Sequence, residues 1–225
     1  MKLAVLFSGG KDSMYAAYVM SQAGHEIVAL LTALSSDPHS FMFHTPNIHM
    51  VPAVAECMDL QLISVRSEGD DETTPIDELV QKAAASGAEG IVTGAILSDY
   101  QFTRIDRICF ENGLKCYSPL WRKDQMTLLL DIVSSGIEAI VTKVAAEGLG
   151  EDMLGRRIDG DFVKTAGALS RRYGINPCGE GGEYETLTLD SPMHRKRIVI
   201  RKASIVKSAS SPGYLVEEAE LMPKV

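Results

Sequence analysis

The first 135 residues alternate short apolar runs with segments of helical spacing, and this alternation constrains the fold more than any other feature. The apolar run at 3–7 ends at Gly9 and Gly10, a pattern typical of a buried parallel strand. Residues 12–23 then carry apolar side chains at helical spacing. Repeated strand–helix–strand units predict a parallel sheet with right-handed crossovers.

Further apolar runs in this region predict four more strands and four more helices. The predicted strands lie at 27–34, 61–66, 90–93 and 115–117. The predicted helices lie at 48–58, 76–86, 99–112 and 124–134. Ligands of such sheets bind beyond the carboxyl ends of the strands, where the strand order reverses. We therefore expect the loops at 8–13, 35–47 and 94–104 to converge on one site.

The pattern changes after about residue 135, where a predicted strand at 137–143 leads into a glycine-rich segment. A predicted helix at 159–173 and strands within 186–207 follow. These elements predict a smaller α+β lobe packed against the first domain. The expected division is a domain of residues 1–135 and a lobe of residues 136–225.

Charge and composition exclude several classes of protein. The net charge of -8 argues against broad nucleic-acid binding, which needs a basic surface. The four cysteines form no C-x-x-C pair, so a zinc site or thioredoxin-like motif is not predicted. No apolar stretch approaches the roughly 20 residues of a membrane helix. We expect a soluble, cytoplasmic protein.

The segment Ser-Gly-Gly-Lys-Asp-Ser at 8–13 joins the first predicted strand to the first helix. Gly9 and Gly10 allow the backbone to approach a ligand closely. The helix N-terminus offers unpaired N–H groups to an anion, and Ser8 and Ser13 add hydroxyl donors. The alternative is a tight turn with a Ser or Asp helix cap. We favour a phosphate-binding loop, because the whole string stands at the first strand end.

Two residues of this loop carry charge. Lys11 supplies a positive charge to a phosphate, whereas Asp12 repels one unless a cation intervenes. We therefore expect Asp12 to bind Mg²⁺. The loop is not a Walker motif, because Val5 and Asp12 stand where that motif requires Gly and Ser or Thr.

The string at 8–13 resembles the SGGxDS loop of PP-loop ATP pyrophosphatases, which split ATP into AMP and pyrophosphate. Three other strings narrow the resemblance: Ser40–Asn47, Gly94–Arg104 and Gly179–Thr186. Together they resemble the diphthine–ammonia ligase family over nearly the entire chain. The resemblance implies a five-stranded parallel sheet of the adenine-nucleotide alpha-hydrolase (HUP/PP-loop) type, with a smaller C-terminal α+β lobe.

The resemblance also implies roles for individual residues. Those expected to bind ATP are Ser8, Gly9, Gly10, Lys11, Asp12, Ser13, Leu34 and Gly94. Those expected to bind substrate are His44, Ser98, Tyr100, Arg104, Glu180, Gly181, Gly182, Glu183, Tyr184 and Glu185. Those expected to be catalytic are Lys11, Asp12 and Glu183.

Plainer interpretations of some of these residues stay open. The 179–186 string can be an acidic turn, and Arg104 can be a surface residue of its helix. His44 is as compatible with a buried, hydrogen-bonded histidine as with a catalytic one. Leu34, taken by itself, indicates only a core position. Because Tyr100 and Arg104 are four residues apart on a predicted helix, we expect both to face one cleft.

The implied activity is ATP-dependent amidation of diphthine on translation elongation factor 2. Ammonium is the nitrogen source, AMP and pyrophosphate are released through an acyl adenylate, and ATP and Mg²⁺ are the cofactors. The elongation factor is the protein partner, with no membrane and no direct nucleic acid expected, and a homodimer stays open. The alternatives are a PP-loop enzyme of tRNA modification and a non-catalytic nucleotide sensor, which would leave ATP whole.

Overall fold

The computed structural model describes residues 1–35, 47–67, 73–208 and 211–224. Five strands form a parallel sheet in the order β3-β2-β1-β4-β5. They are β1 (Lys2–Leu6), β2 (Glu26–Ser35), β3 (Gln61–Ser67), β4 (Gly90–Val92) and β5 (Lys115–Tyr117). The predicted parallel sheet is confirmed, and its strand order reverses between β1 and β4.

The described residues of the same region form five α-helices. They are α1 (Lys11–Gln22), α2 (Val51–Met58), α3 (Thr73–Ala85), α4 (Asp99–Glu111) and α5 (Gln125–Ser134). The helix predicted at 48–58 instead opens with a 3-10 turn, Ile48–Met50, and α2 begins only at Val51. The helix predicted from 76 begins three residues earlier. Pro52 and Pro75 both lie in a first turn, where the missing N–H costs no helical hydrogen bond.

The C-terminal region forms an antiparallel sheet in the order β7-β6-β9-β8, which confirms the smaller α+β lobe. Its strands are β6 (Glu138–Val144), β7 (Tyr184–Asp190), β8 (Lys196–Val206) and β9 (Gly213–Pro223). Helix α6 (Gly160–Tyr173) begins where the Asp159 carboxylate accepts hydrogen bonds from two first-turn amides and ends at Gly174.

One continuous hydrophobic core joins the two sheets. It includes Leu3 of β1, Met14 of α1, Val141 of β6 and Phe162 of α6, all at most 1% exposed. A backbone bond from Thr188 N to Gly9 O, 2.8 Å long, fixes β7 against the loop that follows β1. The division at residue 135 stays a prediction. No helix within the described residues is long and apolar enough to cross a membrane.

The core predicts a large penalty for truncating Phe162, whose ring packs edge-on against Tyr184 with the centroids 5.3 Å apart. We expect Phe162→Ala to lower the free energy of unfolding by about 3–5 kcal/mol, measured by chemical denaturation. The matched control is Phe110→Ala, because Phe110 is 82% exposed. The free energy of unfolding of Phe110→Ala should differ from that of the wild type by no more than about 0.5 kcal/mol. Equal effects of the two variants would contradict this description of the core.

Candidate functional site

A cavity of about 1000 Å³ lies at the carboxyl ends of the parallel strands, where the strand order reverses between β1 and β4. Strands β6 and β7 of the second sheet contribute its opposite wall. Many of the predicted site residues line it: Ser8, Gly10, Lys11, Asp12, Ser13, Gly94, Ser98, Tyr100, Glu180, Gly181, Gly182, Tyr184 and Glu185. The structure thus brings the loop 8–13, the segment after β4 and the 179–186 string together.

The other predicted site residues lie elsewhere. Gly9, Leu34, Arg104 and Glu183 are not among the described residues that line the cavity. His44, with most of the loop predicted at 35–47, lies outside the described residues. The guanidinium of Arg104 lies 3.4 Å from the centroid of the Tyr100 ring, and Tyr100 itself reaches the cavity wall.

The core position indicated for Leu34 by its sequence is wrong, because its side chain is 36% exposed. Strand β2 extends beyond β1, whose pairing ends at Leu6 opposite Leu31. Among the described residues, Leu34 therefore pairs only with Arg66 of β3. The residues just before it, Leu31 to Ala33, contribute to the cavity wall.

The loop 8–13 is held in shape by its own hydroxyl groups. Gly9 has a φ of 84°, a left-handed conformation that favours glycine. The Ser8 Oγ accepts a 3.3 Å bond from Gly10 N and lies 3.3 Å from the Ser13 Oγ. The first turn of α1 lies at the wall of the cavity, where the positive end of the helix dipole favours an anion.

Gly94 sits where the end of β4 approaches the start of α1. A Cβ atom at this position would stand 2.9 Å from Ser13 N, a backbone atom that cannot move aside alone. The absence of a side chain therefore lets the segment after β4 close against the loop 8–13. This contact gives a physical reason for glycine at a position that the sequence singled out.

The Lys11 side chain is almost wholly buried, at 1% exposure. Its Nζ donates to Asp12 Oδ2 at 2.8 Å and to the carbonyl of Cys178 at 2.5 Å, and it lies 5.0 Å from the Tyr184 ring centroid. Burial opposes the charge, but the neighbouring Asp12 carboxylate holds the pKa of Lys11 above its usual value. The ammonium group therefore ties the loop 8–13 to the C-terminal lobe and balances Asp12.

The Asp12 carboxylate has one oxygen left for a cation. Its Oδ1 is buried and has no hydrogen-bond partner among the described residues. No group of three or more His, Cys, Asp or Glu side chains suited to a metal occurs in that part of the chain. Mg²⁺ bound to nucleotides commonly takes only one or two protein carboxylates, with phosphate and water completing its shell. Asp12 therefore fits an ion shared with phosphate.

Glu180 connects the C-terminal lobe to the segment after β4. Its Oε1 accepts hydrogen bonds from three consecutive backbone amides, Ile96 at 3.2 Å, Leu97 at 2.9 Å and Ser98 at 3.2 Å. Burial raises the pKa of Glu180, while these three bonds act in the opposite direction. The carboxylate thus fixes the backbone that leads into α4.

The Glu183 carboxylate is bound within its own turn. Its Oε1 accepts from the backbone and side-chain nitrogens of Asn176, at 2.8 and 2.7 Å, and its Oε2 accepts from Gly181 N at 2.8 Å. The neighbouring Tyr184 is buried and donates its hydroxyl to the carbonyl of Pro177 at 2.6 Å. Burial raises the pKa of that hydroxyl. Both side chains stabilise the 176–184 backbone.

Glu185 differs from the other two glutamates, because no hydrogen bond or ion pair to a described residue engages its carboxylate. It lines the cavity and stands in register with Lys143 of β6, which also lines it. Burial raises the pKa of Glu185 to about 7, although Lys143 and Lys11 both act to lower it.

Sequence reasoning missed three contributors to this site. Thr186 accepts a hydrogen bond from Lys11 N at 3.1 Å, and the Cys178 carbonyl accepts from Lys11 Nζ. Lys143 faces Glu185 across β6 and β7. A lysine at the last position of a predicted strand, where it can reach a site at the strand end, was a usable signal for Lys143. Cys178 contributes through its backbone carbonyl, so the chemistry of its side chain gave no signal of this role.

Comparison with known proteins gives a consistent result. Residues 1–116 match the family model described as the diphthamide synthase N-terminal domain, and residues 124–221 match the C-terminal one. The chain is 39% identical to a diphthine–ammonia ligase of Schizosaccharomyces pombe, covering 93% of this chain and 38% of that relative. It is 37% identical to a diphthine–ammonia ligase of Homo sapiens, covering 92% and 85%.

A solved structure is also similar at a low level. The U34-tRNA thiolase NcsA of Methanococcus maripaludis aligns over 81% of this chain and 70% of its own, with 13% identity and a TM-score of 0.40. A likeness this weak carries no argument about function.

The Glu180 contacts predict a local effect. We expect Glu180→Ala to speed hydrogen exchange at Ile96, Leu97 and Ser98 by about tenfold to a hundredfold, because a shared acceptor worth about 1–3 kcal/mol is lost. Glu180→Gln is the matched control, since its amide oxygen still accepts and should retain much of the protection. Mass spectrometry of exchanged peptides measures both variants. Unchanged hydrogen exchange in the alanine variant would contradict the role of the Glu180 carboxylate in holding these three amides.

Proposed function

Because this chain belongs to the diphthamide synthase family, we propose that it is a diphthine–ammonia ligase that amidates diphthine on elongation factor 2 at the expense of ATP. One observation carries the proposal. A single cavity joins the phosphate-binding loop 8–13 to the acidic turn 179–186 of the second lobe. Adenylation chemistry needs a nucleotide and an acceptor side by side, and the two walls of this cavity are suited to one each.

The loop side of the cavity is suited to ATP. The first turn of α1 and the hydroxyls of Ser8 and Ser13 would hold the phosphates, and the end of β2 would lie beside the base. Asp12 would hold Mg²⁺ through its unpartnered Oδ1. When bound, that ion neutralises phosphate charge and favours departure of pyrophosphate. Lys11 keeps Asp12 and the loop in place through its buried contacts.

The reaction that we propose has two steps. The diphthine carboxylate attacks the α-phosphorus of ATP, which gives an acyl adenylate and releases pyrophosphate. Ammonia then attacks the acyl carbon, and AMP leaves. The residues contribute chiefly by orienting the reactants and by stabilising developing charge, the usual large terms in such transfers.

The opposite wall is suited to a cationic substrate. Diphthine carries a trimethylammonium group and an imidazole, and Glu180 places an acidic side chain along that wall. Tyr100 offers an aromatic ring at the cavity, and Arg104, which stacks on that ring, supports it from outside the cavity. We propose that these residues receive the modified histidine of the elongation factor.

A tRNA-modifying role is the second candidate, since related PP-loop enzymes act on tRNA. The net charge of -8 does not favour it, because RNA binding depends on a basic surface. The acidic turn at the cavity likewise disfavours a polyanion.

The direct test supplies ATP, Mg²⁺, ammonium and elongation factor 2 bearing diphthine. Mass spectrometry should show the carboxylate converted to the amide, with equal amounts of AMP and pyrophosphate released. Folded protein that binds ATP but leaves it whole would instead indicate a nucleotide sensor. AMP release that depends on tRNA, without amidation, would support the second candidate.

A second test concerns Lys11. We expect Lys11→Ala to abolish AMP formation, and also to lower the free energy of unfolding by about 3 kcal/mol, because it leaves a partly buried carboxylate without its counter-charge. The control is Lys82→Ala, which removes an exposed pair with Glu78 and should change neither property. AMP formation at the normal rate in Lys11→Ala would contradict the role given to this residue.

A further inference from the structure

The three glutamates of the acidic turn have different surroundings. One carboxylate oxygen of Glu180 accepts hydrogen bonds from three backbone amides. Both carboxylate oxygens of Glu183 accept hydrogen bonds, from Asn176 and Gly181. Glu185 makes no such bond within the described residues, although it lines the same cavity. One carboxylate of the turn is therefore available to a ligand without breaking an internal contact.

Position and environment suit Glu185 to proton transfer. It lies on β7, a strand held against the loop 8–13 by the Thr188–Gly9 backbone bond, so its place relative to that loop is fixed. Among the described residues, the charged groups that act on it are Lys143 on β6 and Lys11 and Asp12 on α1. Burial raises its pKa to about 7, the two lysines act to lower it, and Asp12 acts to raise it. Such a carboxyl changes its protonation near neutral pH.

The proposed ligase reaction requires a base at this place. Ammonium, the dominant form of ammonia at neutral pH, has no lone pair and cannot attack an acyl carbon. Resting on the proposed function, we infer that Glu185 is the catalytic base that takes a proton from ammonium beside the acyl adenylate. Lys143 is its positioning partner, which keeps the carboxylate ionised when ammonium arrives.

Proton transfer to Glu185 precedes formation of the amide bond. One N–H bond of ammonium breaks, and the proton passes to a Glu185 oxygen. The nitrogen lone pair so released forms a bond to the acyl carbon, and the bond from that carbon to the AMP oxygen breaks. A second proton leaves the nitrogen to water as the amide forms. Glu185 then returns its proton to solvent through the open cavity.

Hydroxylamine provides the discriminating probe, because it is largely neutral near pH 7 and attacks acyl adenylates without prior deprotonation. We expect Glu185→Gln to lower ammonium-dependent amidation by about a hundredfold, the usual contribution of a positioned base. Hydroxamate formation with hydroxylamine should stay at the wild-type rate. Glu78→Gln, an exposed glutamate on α3, serves as the matched control and should retain both activities.

The dependence on pH gives a second readout. In the wild type, amidation relative to hydroxamate formation should rise as the pH passes through about 7, where Glu185 loses its proton. In Glu185→Gln, amidation should recover only at alkaline pH, in proportion to free ammonia. In Lys143→Met the wild-type rise should move to higher pH, because removal of a nearby positive charge raises the pKa of the carboxyl.

The outcomes separate this inference from the proposed function. Equal loss of amide and hydroxamate in Glu185→Gln would overturn the inference and would indicate a role in binding the modified histidine. Wild-type protein that forms neither product would instead refute the proposed function. Should Glu185→Gln not fold, Glu185→Asp tests the same point. In this variant the ratio of amide to hydroxamate should still rise with pH. A ratio that does not change with pH would overturn the inference.

Discussion

The buried ammonium of Lys11 is the interaction on which the rest of the site depends. It joins Asp12, in the loop after β1, to the carbonyl of Cys178 in the second lobe. Two hydrogen bonds reinforce this connection, one from Lys11 N to the Thr186 hydroxyl and one from Thr188 N to the Gly9 carbonyl. Burying a lysine is costly unless its charge is paired, so the arrangement requires both lobes to be in place. The cavity between them is a consequence of that docking.

The three glutamates of the acidic turn have different roles. Glu180 holds the backbone before α4, and Glu183 holds its own turn. These hydrogen bonds hold the backbone of the cavity wall in place. Glu185 lines the cavity beside Lys143, and no described residue forms a hydrogen bond with its carboxylate. Three identical side chains within six residues therefore differ in chemistry because their surroundings differ, as the raised pKa of Glu185 illustrates.

Much of the first domain could be predicted from its apolar pattern, since buried parallel strands need continuous apolar runs and helices need their own spacing. Errors arose where local signals were ambiguous. Pro75 lies in the first turn of α3 rather than before it, and Leu34 is apolar yet exposed because β2 extends past β1. For the candidate site, the 8–13 string and Gly94 were visible as loops at strand ends. Lys143 was missed because its partner is 42 residues away in sequence.

The sequence by itself determined the order of strands and helices in residues 1–135, the strand–helix loop at 8–13 with its glycines and hydroxyl groups, and the resemblance to the family. Those properties are local, because periodicity, turn chemistry and motif spacing act within a few residues of each other. Only the tertiary structure decided what Lys11 contacts and which glutamate of the turn has no hydrogen bond to a described residue. Such roles depend on burial, backbone acceptors and cross-strand neighbours, which exist only once the two lobes have packed together.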